Sequence, residues 1–174
     1  MTKFVLRLAN ISAMAGGIVL VLIILMTCLS ILGRALIPLG LGPVPGDYEL
    51  VEAGIAFAVF SFLPLAQVQV AHATVDVFAG AMSLRTNRII VAFWELVAAA
   101  VMIFIAARLW EGMQGKLGNG ETSMFLQFPI WWSYALCMVP ATIGVLVGLW
   151  SAWDRIQAAL TGRETRPLAG GADH

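Results

Sequence analysis

Four long apolar stretches, separated by short polar punctuation, set the pattern of this chain. No charged residue occurs between Arg7 and Arg34, and residues 11–33 exceed the roughly 20 apolar residues that a bilayer-crossing helix needs. Further spans fall at 53–71, bounded by Glu52 and His72, at 89–107, which holds the single acid Glu95, and at 130–153. The first resembles a signal peptide in following Lys3 and Arg7. Its apolar run is too long for a signal core and no small-residue cleavage site follows, so a retained helix is expected.

The polar segments predict the connections. Pro38, Pro43 and Pro45 with Gly40, Gly42 and Gly46 make the first loop a poor helix former. Asp47 follows as an N-cap candidate, and Glu49 and Glu52 suit the positive end of the next helix. After His72, TVDVFAGAMSL places Val75, Phe78, Ala79 and Met82 on one helical face, with Asp76 elsewhere, as in a short interfacial helix. RLWEGMQGKLG, after span three, is similarly amphipathic and is placed to extend that span. The expected architecture is an all-α membrane protein: four transmembrane helices with short amphipathic interfacial helices. A single domain covers residues 1–160, and the polar, Gly-rich residues 161–174 form a flexible tail.

Composition narrows the class further. Charged residues make up only 11% of the chain, against about 25% in soluble domains. The six tryptophans lie near the ends of spans three and four. Trp132 and Trp150 are separated by about 27 Å of helix, the spacing of two interfacial belts. With the N-terminus inside, seven basic residues (Lys3, Arg7, Arg85, Arg88, Arg155, Arg163 and Arg166) face the cytoplasm and three (Arg34, Arg108 and Lys116) face the other side. That bias predicts both termini in the cytoplasm. Ten Lys and Arg balance ten Asp and Glu, so no basic field suggests a nucleic-acid partner.

Candidate chemistry is sparse. Cys28 and Cys137 sit within apolar runs and read as small hydrophobes. There is no Cys/His metal spacing, nucleophile elbow or phosphate-binding glycine loop. His72 has only His174 as a second histidine, in the tail, which argues against a membrane haem. No cofactor and no enzyme activity are expected. Glu95 is an intramembrane acid and therefore a functional candidate. Gln67, Gln69, His72 and Arg88 are placed to surround it near the cytoplasmic leaflet, an arrangement suited to assembly more than to ion coupling. Pro64 and Pro140 interrupt spans two and four, and Gly144 with Gly148, and Ala13 with Gly17, mark close helix approach.

The order of these features resembles the small membrane subunit (DctQ-like, small permease) of tripartite ATP-independent periplasmic (TRAP) transporters, over roughly residues 5–160. An acid opens span two, here Glu49 or Glu52. Proline-containing span two leads to a histidine followed by V-D, here His72, Val75 and Asp76. A basic residue, Arg85 or Arg88, precedes span three. Pro129, Trp132, Tyr134 and Pro140 match the pattern around span four. The segment from Gln67 to Ala71 departs from it, being uncharged where the family is usually basic and Gly-containing.

The resemblance implies a scaffold subunit in the bacterial inner membrane. It would support a large membrane transport subunit in sodium-coupled uptake of an organic acid, delivered by a periplasmic binding protein that it also helps to dock. Glu49, Glu52, His72, Asp76, Arg85, Arg88, Glu95, Trp132, Tyr134 and Pro140 would then serve assembly or partner contact, with lipids around them. A membrane anchor of a respiratory enzyme and a self-contained exporter are the competing classes.

Overall fold

The computed structural model describes residues 2–68 and 84–161. Four long helices carry the fold: α1 (Thr2–Ala35), α2 (Asp47–Val68), α3 (Leu84–Asn119) and α4 (Trp131–Thr161). Each is long and apolar enough to cross a membrane, which makes this a multi-pass membrane protein. A lipid environment favours such helices because each satisfies its backbone hydrogen bonds internally.

The helices follow one another in space as α1, α2, α4, α3, with α1 touching α4 only lightly. Chain direction makes α1/α2 and α3/α4 antiparallel pairs, while the two proline-containing helices, α2 and α4, run side by side in the same direction. The buried faces are built from small residues at helical spacing. α3 buries Ala92, Glu95, Ala99, Met102 and Ala106, and α2 buries Ala58, Ser61, Pro64 and Gln67. Such residues let backbones approach closely, which is how helices gain packing where lipid is as apolar as a side chain.

Proline marks both inner helices without ending them: Pro64 and Pro140 are fully buried within α2 and α4. The loop from α1 contains a short 3-10 turn, Ile37–Leu39, closed by Gly40 at φ 83°. RLWEGMQGKLG continues α3 without a break and forms no separate interfacial helix. The interfacial helix expected after His72, and the tail at 162–174, lie outside the described residues.

Candidate functional site

Two groups of polar contacts hold the bundle. The first lies at the end carrying the α1–α2 and α3–α4 loops. Ser30, on α1, donates a hydrogen bond to Asp47 Oδ2, while Asp47 Oδ1 accepts from the Tyr48 amide at 2.8 Å. Arg34 stands 3.6 Å from the same carboxylate, and the Val44 amide donates to Ser30 Oγ at 3.3 Å. Asp47 therefore does more than cap α2: it ties the helix start to α1. Gly33 packs so closely on the Gly42 carbonyl that a Cβ there would collide with it.

On its other side, α2 is tied to the loop before α4. Residues 121–130 form a narrow hairpin, with Ser123 N–H donating to Phe128 O at 2.9 Å and Ile130 N–H to Glu121 O at 3.0 Å. Glu49 accepts the amides of Phe125 at 2.8 Å and Leu126 at 3.0 Å, so one carboxylate clamps the hairpin tip. Gly46, at φ 72°, lies beneath the Leu126 side chain, where any Cβ would clash. Lys116 bonds to Glu121 at the hairpin base. That bond and the lysine's charge hold the Glu121 carboxyl below its ordinary value of 4.5, against partial desolvation, with Asn119 assisting.

The second group lies inside the bundle. Ser12 donates to Ser61 O at 3.0 Å, and a Cβ on Gly16 would stand 2.7 Å from Ser61 Cβ. The close approach of α1 to α2 thus falls at Gly16. Gly17, which sequence spacing favoured, has open space around it. Gly144 does mark a crossing, its Cβ position lying 2.5 Å from the Met102 methyl and 3.7 Å from Pro64. One turn on, a Cβ on Gly148 would stand 3.0 Å from the Gln67 carboxamide nitrogen. Gln67 Oε1 is buried and without a hydrogen-bond partner among the described residues. Glu95 is buried on α3, two turns from Met102, and the antiparallel register brings buried Ser151 level with it. Gln67, Glu95 and Ser151 thus form a buried polar stratum below the Ser12–Ser61 contact.

The other expected residues are distributed along the fold. Glu52 is exposed on α2. Trp132 is exposed and meets Trp131 edge to face at 6.2 Å. Tyr134 packs its ring on Gly112, where a Cβ would lie 2.7 Å away. Arg85 and Arg88 fall on the first turns of α3. His72 and Asp76 lie outside the described residues, as does Gln69 from the cluster expected around Glu95. Sequence reasoning passed over Ser12, Gly16, Ser30 and Ser61. The spacing Ser12-xxx-Gly16 carries the same small-residue signal as the pair it chose one residue later.

Fold and site together define a multi-pass membrane protein whose internal polar groups join helix to helix and helix to loop; among the described residues no His, Cys, Asp and Glu converge on a metal site. Residues 23–159 match the family model of the DctQ component of tripartite ATP-independent periplasmic transporters. The chain belongs to that family, a transporter component and not an enzyme. Comparison with curated proteins and with solved structures found no match.

Proposed function

We propose that this chain is the small scaffold subunit of a TRAP-type secondary transporter, bracing a large transport subunit that takes up an organic acid with sodium. A periplasmic binding protein delivers the substrate. The observation that carries this reading is the use made of polar groups. Asp47 and Glu49 are occupied by Ser30, Arg34 and the amides at 48, 125 and 126. A carboxylate engaged in this way is suited to holding a shape, whereas a cation site needs several free oxygens converging on one point.

The protein sits in the bacterial inner membrane with both termini cytoplasmic, following the seven-to-three basic bias. The clamped loops then face the periplasm, on the side from which a binding protein arrives. The polar stratum at Glu95 serves assembly, and the residues around His72, Asp76, Arg85 and Arg88 contribute contacts at the cytoplasmic side.

Glu95→Gln separates assembly from coupling. Reduced recovery of the complex with the large subunit, with transport lost in proportion, is the expected result. Normal assembly with abolished sodium-coupled uptake would overturn the scaffold reading and assign Glu95 to the transport path.

A further inference from the structure

The apolar segments of the four helices are not at one height. Ser30 on α1 is joined to Asp47 at the start of α2, and the adjoining Gly46 and Glu49 are held against Leu126 and Phe125. The turns of α1 around Ser30 are therefore level with the hairpin that follows α3. Lower down, Ser12 bonds to Ser61, one turn from Pro64, which meets Gly144 and, through it, Met102. So the apolar run of α1 begins at about the height where that of α3 ends.

The offset lies with the two outer helices. α2 and α4 keep their apolar centres together, since Pro64 meets Gly144 and Gln67 meets Gly148. α1 is displaced towards the loops and α3 away from them. The mismatch between α1 and α3 is about 14 residues, or about 20 Å at 1.5 Å per residue. At one height, α1 exposes Leu29 at 63% and Leu32 at 59%, while α3 carries Lys116 and Asn119. Leu39, beyond α1, is 76% exposed. Apolar surface on one flank and charge on the other cannot both suit a bilayer parallel to the loop end.

We infer that the bundle crosses the membrane tilted from α1 towards α3, immersing the turns of α1 around Cys28 and Leu32 in the acyl chains of one leaflet, with Arg34 at the interface, while the last three turns of α3 stand in water. Up to three helix spacings of 8–10 Å separate α1 from α3, since α1 also touches α4 lightly, so an offset of about 20 Å corresponds to a tilt of about 30° or more. Membrane helices reach such angles. The occupant of the α1 flank is lipid, because α1 and α3 are displaced in opposite directions from the level pair α2 and α4, as a membrane plane inclined across the bundle requires. A protein partner covering α1 alone would not require the opposite displacement of α3.

Cys28, exposed beside Ser30, reports on this directly. With buried Cys137 replaced (Cys137→Ala), a nitroxide on Cys28 is compared with one on Gly118→Cys, made in the Cys28→Ala, Cys137→Ala background. Gly118 is at the same height on α3 and has open space for a side chain. The full chain is placed in phosphatidylethanolamine/phosphatidylglycerol nanodiscs and collision with oxygen and with a water-soluble nickel chelate is measured. The tilt predicts that oxygen relaxes the Cys28 label several-fold more than nickel does, with the order reversed at Gly118. Equal preferences at the two positions, in either direction, would overturn it. So would a Cys28 label sheltered from both reagents, which would mean protein cover. Should the Gly118 variant fail to insert, nickel access at Cys28 alone suffices to reject the tilt.

Discussion

Glu49 accepts the backbone amides of Phe125 and Leu126, joining the start of α2 to a loop that lies two helices later in the chain. The bond sets the hairpin over the end of the bundle and leaves Met124 and Phe125 projecting outward, 82% and 69% exposed. An ionised acceptor forms the stronger kind of hydrogen bond, so its removal should release the hairpin while the helices persist. Glu49→Ala is expected to speed amide hydrogen exchange at Phe125 and Leu126 by about an order of magnitude, with little change in the helix cores. Unchanged exchange at those amides would deny Glu49 this role.

The α1–α2 seam tests the corrected position of close approach. Gly16→Val places branched carbon against Ser61 and the Ala58 carbonyl, and should lower the unfolding stability by about 1–3 kcal/mol, the usual range for overpacking. Gly17→Ala meets open space and should leave stability unchanged. Thermal unfolding in detergent compares the two, and the reverse ranking would place the seam one residue later.

Gln67 shows what burial costs when a polar group lacks a partner. Its carboxamide lies against Gly148 with Oε1 unbonded among the described residues. An unsatisfied buried acceptor costs about 1–3 kcal/mol. Gln67→Leu should therefore leave the isolated bundle as stable as before, or more stable by about 1 kcal/mol. A clear loss of stability in the same unfolding assay would mean that the amide makes an indispensable contact.

Acid should loosen the hairpin at its base. Glu121 titrates below its ordinary value of 4.5 because Lys116 bonds to its ionised form. A depressed folded pKa contributes stability above the unfolded value and loses it as pH falls through the folded one. Exchange protection of Ser123 and Ile130 is thus expected to hold from neutral pH down to about 4.5 and to decline below it. In Glu121→Gln that decline should be absent.

The four helices were legible because bilayer thickness imposes a length that composition cannot disguise. The crossings at Gly144 and Gly148 were legible too, since small residues one turn apart have few other uses in a membrane. Gly16 was not, because Ser12-xxx-Gly16 and Ala13-xxx-Gly17 differ by a rotation of the helix that only its partner fixes. Nor was the clamp on the hairpin. Glu49 is recognisable as an acid at a helix start, but nothing local indicates that its acceptors serve amides 76 and 77 residues away. Likewise, Ser30 reads as an ordinary small residue in an apolar helix until Asp47 is placed beside it.

Whether this chain braces a transporter is tested most directly by co-expressing it, tagged, with the large membrane subunit and measuring what the purified material contains and transports. The scaffold account predicts a stable complex of the two subunits that takes up substrate in vesicles only when the binding protein and sodium are supplied. Recovery of this chain alone, carrying transport activity without the large subunit, would contradict it.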